Sequence, residues 1–424
     1  MDAHLSFGTG RLRFPLPGSW ETSPPPEPAW IGDPLSAWRE ALARPVSGPS
    51  LAEAASGCRR VLLSVPDLTR PFPFGPLLPA LLDALEDAGV PPAGVTAVVA
   101  TGLHRPLSGD EIRAVLGPAA GRIRAVNHDP RDDLVDAGRT ARNTPVSLNR
   151  RLSEADLAVS LGAAAFHFHA GFSGGPKGIV PGLAGEETIR ENHLLALSGP
   201  GPSWHPACGP GKLDGNPVHE DLLEAAGRAP CPLFLANVAA DEENRLLAVA
   251  TGDVEKAHRR ACAAFARHFL RKIETPFDAV LVSAGGSPRD VNLIQAHKAA
   301  AHAAGALKEG GTLVLVAECA EGTGHEDLPF WFGETPEGLM RLARKTARKY
   351  VQTAYAFMEK ARRFDFLLLS SLPEDLLEPA GIRPVRSPGE VAAFLGQKHG
   401  DDFRGLLVEG PAVLHTGAGS GEDA

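Results

Sequence analysis

The sequence predicts an α/β protein: two α/β lobes with largely parallel sheets and an active-site cleft between them. Three observations carry this expectation. Short β-branched runs alternate with helical stretches along most of the chain, the order that parallel sheets flanked by helices require. The series restarts after Pro276, which divides it into two lobes. The chemically suggestive motifs fall where strands end, the usual place for ligands in parallel sheets.

Val61-Leu-Leu-Ser-Val65 reads as a buried strand, followed over 77–89 by an amphipathic helix that ends on a glycine. Val95-Thr-Ala-Val-Val-Ala100 is the next strand, and Ser108-Gly-Asp-Glu111 supplies a capping box for the helix after it. Leu157-Ala-Val-Ser-Leu161 and Leu233-Phe-Leu-Ala-Asn237 continue the series. After the restart come the strand Ala279-Val-Leu-Val-Ser283, a helix over 296–307 and the strand Thr312-Leu-Val-Leu-Val316. One long helix over 339–363, free of Gly and Pro, then leads to strands Phe366-Leu-Leu-Leu-Ser370 and Leu406-Leu-Val408. The first 50 residues differ, because Pro24-Pro-Pro26 suits neither a helix nor a central strand. The expected division is a proline-rich arm packed on the first lobe (1–50), an N-terminal lobe (51–272), a C-terminal lobe closing the cleft (273–412) and a flexible tail (413–424).

With 424 residues, 43% hydrophobic and 22% charged, the chain has the composition of a soluble globular protein with a large core. A net charge of −9 argues against general nucleic-acid or membrane-surface binding. The start is too polar for a secretory signal, and no apolar run reaches the ~20 residues that span a bilayer. A cytoplasmic location is expected. Five dispersed cysteines without a C-x-x-C pair read as reduced thiols, not as a disulfide framework, zinc site or iron–sulfur cluster.

The most informative segment is Gly171-Phe-Ser-Gly-Gly-Pro-Lys177-Gly178, with His167 before it and His193 after it. Glycines let backbone N–H groups close around an anion, and the lysine offers a charge or a nucleophilic amine. A Walker A loop fails to match twice: Pro176 has no N–H to give, and Gly178 stands where Ser or Thr is required. Val65-Pro-Asp67-Leu-Thr69-Arg70-Pro71 follows the first strand, where Asp, Thr and Arg on one turn suit a ribose or carboxylate as well as they suit a salt-bridged Asx turn. Thr101-Gly-Leu-His104-Arg105-Pro106 follows the second. In Phe166-His167-Phe168-His169, one functional histidine rather than a chelating pair is expected. In the second lobe, Gln295 and Lys298 share one helical face, which suits a ligand or a capped, solvated helix. His325 and Phe330-Trp331-Phe332 fit a cleft rim or loop packing equally.

Together these motifs, with Ile179-Val-Pro-Gly182, Asn192-His193, Gly215-Asn-Pro217 and Gly285-Gly286, resemble the nickel-dependent lactate racemase family in order and spacing over roughly residues 5–410. The resemblance implies a nickel-pincer nucleotide, a pyridinium mononucleotide whose two sulfur-containing arms hold nickel, in the 51–272 lobe. It implies Lys177 as the covalent tether, His193 as the metal ligand, and His104 and His167 as the catalytic pair. Asp67, Thr69, Ser173, Gly174 and Gly175 match cofactor-side positions, and Arg70, Gln295 and Lys298 match the substrate side. The implied reaction is interconversion of 2-hydroxy-acid stereoisomers by hydride transfer, with separate biosynthetic enzymes loading the cofactor. His169, Ile294 and the stretch Gln352-Thr-Ala-Tyr355-Ala-Phe357 depart from the family pattern, which puts the substrate's side-chain pocket in question. Two other classes stay open on the residues alone: an enzyme using Lys177 on a phosphate, and a non-catalytic cofactor-binding relative.

Overall fold

The computed structural model describes residues 1–24, 29–68, 72–197, 203–241, 243–346 and 348–417. The chain divides into two compact units, one formed by 27–195 and 207–268, the other by 1–26, 196–206 and 269–423.

The first unit is built on a six-stranded sheet. Its order is Leu246–Gly252, Leu233–Ala240, Leu157–Ala164, Val61–Pro66, Val95–Ala100, Arg124–Asn127. All neighbours are parallel except the edge strand Leu246–Gly252, which runs antiparallel to Leu233–Ala240. Every residue of Val61–Pro66 and Leu157–Ala164 is buried, as expected of central parallel strands covered on both faces. The helix Phe74–Asp87 sets Leu77, Leu78, Leu81, Leu82 and Leu85 into the same core as Leu63 and Val65. Each such leucine stabilises the fold by about 1.5–3 kcal/mol. The capping box expected at Ser108 and Glu111 is present.

The second unit holds another six-stranded sheet, ordered Arg383–Val385, Asp365–Leu369, Leu307–Val316, Phe277–Ser283, Arg404–Glu409, Ser19–Thr22 and parallel throughout. The α/β class with largely parallel sheets is therefore as the sequence indicated. The N-terminal arm is not. Residues Asp2–Phe7 and Gly10–Pro15 form an antiparallel hairpin whose Ala3, Leu5, Phe14 and following Leu16 pack with Leu281, Val314 and Leu367, in the second unit. Only the later part of the arm joins the first unit, through Trp38 and Leu42. Residues 25–28 lie outside the described residues, and so do 418–424 of the expected tail, whereas Leu414–Gly417 pairs in parallel with Leu270–Ile273.

The long helix over 339–363 is two helices, Pro336–Ala343 and Val351–Arg363, and Tyr350 at the junction takes φ 65°. Asp327 causes the break. Its carboxylate accepts hydrogen bonds from Arg348 Nη1 at 2.7 Å and from the Lys349 backbone N–H at 2.9 Å, and the Lys349 carbonyl accepts from Trp331 Nε1 at 2.6 Å. These tertiary bonds take backbone groups that a continuous helix would have used. Among the described residues no helix is long and apolar enough to cross a membrane, and the five cysteines are free thiols, four of them buried.

Candidate active site

In the first unit, strand ends deliver the side chains. Asp67, 4% exposed, directly follows Val61–Pro66, and His104 follows the neighbouring strand Val95–Ala100. The turn between holds its shape through Gly102, at φ 53°, whose N–H donates to the Gly182 carbonyl at 3.1 Å. The result is a bond of 2.6 Å between His104 Nδ1 and Asp67 Oδ2. Asp67, expected on the cofactor, has its carboxylate on a histidine. Thr69 and Arg70 lie outside the described residues.

The strand Leu157–Ala164 leads into Phe166–His167, which folds back antiparallel onto Gly171–Phe172. Residues two apart on an extended chain share a face, so His167 and His169 fall on the same side and the expectation of a single functional histidine fails on geometry. Their rings meet edge to face with centroids 4.5 Å apart, and His169 stands 4.8 Å from the ring of His193. His169, 1% exposed, thus joins a cluster of three imidazoles. Its carbonyl accepts from Asn216 Nδ2 at 2.9 Å, so the cap of the helix Pro217–Ala226 also fixes this turn. On the other side of the turn, the Ala170 N–H donates to His167 Nδ1 at 3.4 Å.

His193 sits in the last turn of Glu186–Leu194. Burial, with the charges of Lys177 and His104, pushes its pKa down to about 3. It is therefore neutral at ordinary pH, the form in which imidazole binds a metal. Among the described residues no group of three or more His, Cys, Asp and Glu side chains could hold a metal ion. A metal bound through His193 would draw most of its donors from a non-protein group.

The glycine loop uses several of its amides within the fold. Ser173 N–H donates to Ala165 O, Gly175 N–H to Asn237 Oδ1 at 3.3 Å, and Lys177 N–H to Gly174 O at 3.1 Å. Ser173 Oγ donates to Ala163 O at 2.7 Å and accepts from Ala165 N–H at 3.0 Å. The glycines are required by what lies beneath them. A Cβ on Gly175 would overlap the ring of His258, and one on Gly178 would overlap Ser160 Oγ. One on Gly174 would come within 2.7 Å of Asn237 Oδ1. His258 Nε2 and the Ser173 carbonyl are 3.0 Å apart, which makes this nitrogen the donor and the carbonyl the acceptor. Ser173, Gly174 and Gly175, expected on the cofactor, shape the turn that carries Lys177. Burial holds His258 at about 4 and the adjacent His219 at about 3, with the Lys177 charge a smaller contribution to both.

In the second unit, Gln295 and Lys298 lie on the helix Leu293–Ala303 as expected, one face bringing Lys298 Nζ to Gln295 Oε1 at 2.7 Å. Asn292 caps this helix by accepting from the Gln295 N–H at 3.0 Å. The aromatic cluster resolves into packing: Trp331 and Phe332 are buried, Phe332 meeting Phe357 edge to face, while Phe330 is 40% exposed under the Arg348 guanidinium. His325 Nδ1 accepts from the Asp327 N–H at 3.1 Å.

Fold and site thus define an α/β enzyme in which Asp67 and His104 stand at the ends of adjacent parallel strands, in the unit that also holds His167, Lys177 and His193. Residues 7–204 match the lactate racemase N-terminal domain and residues 273–354 the lactate racemase C-terminal domain, and the chain belongs to the lactate racemase family. The lactate racemase of Thermoanaerobacterium thermosaccharolyticum is 33% identical over 306 residues, 70% of this chain and 69% of the relative. That of Lactiplantibacillus plantarum is 34% identical over 290 residues, 68% of this chain and 66% of the relative. The structure of the Thermoanaerobacterium thermosaccharolyticum lactate racemase apoprotein superposes with a TM-score of 0.84 at 25% identity, covering 98% of this chain and all of that one. A Thermotoga maritima protein of known structure shares the fold, with a TM-score of 0.67 at 20% identity over 92% of this chain and 100% of that chain.

Proposed function

We propose that the chain is a racemase or epimerase of 2-hydroxy acids, lactate among them, and that it works with a nickel-pincer nucleotide tethered to Lys177 and ligated through His193. The observation that carries this reading is the 2.6 Å bond between Asp67 and His104. It orients an imidazole as a proton acceptor at a strand end, in the unit that also holds His167, Lys177 and His193.

The residues suit the group. His193 is a neutral imidazole, and Lys177 sits in the last turn of Gly175–Gly178, only partly buried. When bound, the nucleotide supplies a reversible hydride acceptor, so the substrate C–H bond breaks without placing a carbanion beside a carboxylate. The chain's own residues handle the proton and the orientation. His104 Nε2, left open by the Asp67 bond, accepts the hydroxyl proton of one stereoisomer. His167, arriving from a different strand, serves the hydroxyl of the other. Lys298, steadied by Gln295, and Arg70 hold the substrate carboxylate and retain the keto acid while it turns. The internally bonded loop amides weigh against the alternative in which Lys177 and its glycines bind a phosphate. A cytoplasmic protein loaded by separate cofactor-making enzymes completes the reading.

The test is a racemisation screen of 2-hydroxy acids by chiral chromatography on cofactor-loaded protein, with intact mass read alongside. Added mass that is lost in Lys177→Ala, together with interconversion of at least one acid, is expected. Loaded protein that interconverts none of them would overturn the activity, and an unchanged adduct in Lys177→Ala would overturn the tether.

A further inference from the structure

We infer that His104 and His167 are held in opposite tautomers: His104 carries its proton on Nδ1 and presents a bare Nε2, whereas His167 carries its proton on Nε2. The two histidines are then not interchangeable. The catalytic meaning of this rests on the racemase reading; the tautomers themselves do not.

Each assignment follows from what the partner can do. A carboxylate only accepts, so the 2.6 Å bond to Asp67 requires a proton on His104 Nδ1. A backbone amide only donates, so the Ala170 N–H aimed at His167 Nδ1 requires a lone pair there and sends the ring proton to Nε2. Both partners are fixed in place. Asp67 is buried at the end of a central strand. Ala170 lies in the turn closed by the pairing of His167 with Gly171, and its carbonyl accepts from the Phe172 N–H at 3.0 Å. The His167 ring is held by stacking on Phe168 (centroids 5.2 Å, planes 18° apart) and by the edge-to-face contact with His169.

The two rings therefore respond differently to a second proton. Accepting a proton at Nε2 leaves the His104 bond to Asp67 intact. Protonating His167 at Nδ1 sets two N–H groups against each other and breaks the Ala170 bond. Accepting at Nε2 instead first requires the ring to change tautomer, which breaks the same bond. His104 can take a proton at Nε2 as it stands, whereas His167 can do so only after giving up its bond to Ala170, so the two bases are unequal. Enantiomers have equal free energy, so kcat/KM must be the same in both directions, and the asymmetry shows as kcat and KM that differ together by a common factor.

The decisive measurement is the two-bond nitrogen–proton correlation spectrum of histidine side chains in full-length, cofactor-free protein at neutral pH. The two rings are assigned with His104→Gln and His167→Gln. The expected result is an Nδ1-protonated pattern for His104 and an Nε2-protonated pattern for His167, with the His104 pattern lost in Asp67→Asn. The same tautomer in both rings of the unsubstituted protein would overturn the inference, whatever the racemisation assay shows. A negative racemisation screen alongside opposite tautomers would instead overturn the activity and leave the inference standing.

Discussion

The Asp67 carboxylate meets Nδ1 of His104 at 2.6 Å, joining the ends of the adjacent parallel strands Val61–Pro66 and Val95–Ala100. The bond both orients the ring and decides which nitrogen is free. Asp67→Asn keeps the shape and can turn its amide N–H toward the ring, leaving the wrong tautomer. We expect kcat of the loaded enzyme to fall by roughly 10²–10⁴, the range for losing an acid–base partner or its orienting carboxylate. A thermal melt should show little change, which separates the effect from misfolding.

Lys298 is expected to act on binding. Its ammonium is steadied by Gln295 in the second unit, and a charge-assisted bond to a carboxylate contributes about 1.5–3 kcal/mol. Lys298→Ala should therefore raise KM roughly 10–100-fold. Steady-state kinetics on loaded protein check this, and a loss confined to kcat would contradict it.

The seat beneath the loop makes a prediction about stability. Gly175→Ala places a methyl group into the His258 ring at a position with φ 55°. Left-handed backbone and overpacking together should cost about 2–5 kcal/mol. Adding His258→Ala removes the overlap but not the backbone cost, so the double variant should be more stable than the sum of the single changes implies, by about 0.5–3 kcal/mol. Denaturant titration of the four proteins closes the cycle, and simple additivity would show that the ring is not what excludes a side chain.

Much of this architecture could be read in one dimension, because central parallel strands are continuous apolar runs. Val61–Pro66, Val95–Ala100 and Leu157–Ala164 begin where their β-branched runs begin. The hairpin Asp2–Phe7 with Gly10–Pro15 has the period-two alternation of a strand pair, yet proximity in sequence suggested the first lobe, and only long-range pairing of Ser19–Thr22 with Arg404–Glu409 decides otherwise. The break before Val351 has no local marker, since Asp327, which breaks the helix, lies more than 20 residues away. In the site, His104, His167, Lys177 and His193 stood out by residue type and spacing. Asn237 and His258 did not, because they reach the loop from 62 and 85 residues away along the chain and carry no signature of their own. His169 was misread although the signal was there: a strand period of two puts positions 167 and 169 on one face, and their rings do meet.

The buried imidazoles set the acid limit of the fold. His219 is held at about 3 and His258, His302 and His415 at about 4, all chiefly by burial, against an ordinary value of 6.5. The unfolded chain binds these protons first, so the stability they contribute is complete above about pH 6.5 and is lost as pH falls from there toward 4. Carboxylates such as Glu111, held at about 2 mainly by its bond to Arg105, lose their contribution only below about 4.5. Melting temperature should therefore already fall between pH 6.5 and 5, with a shallower slope in His258→Gln. A flat profile over that range would contradict neutral burial.

The packing under Gly174, Gly175 and Gly178 bears on how such chains are told apart. Those glycines answer to Asn237, His258 and Ser160, all on the protein's own side of the loop. A glycine-lysine signature of this kind marks the presence of a seat, which a chain keeps for its folding whether or not it turns over a substrate. In the proposed function, the bond between Asp67 and His104 is the feature that the chemistry asks for and the seat of the loop does not.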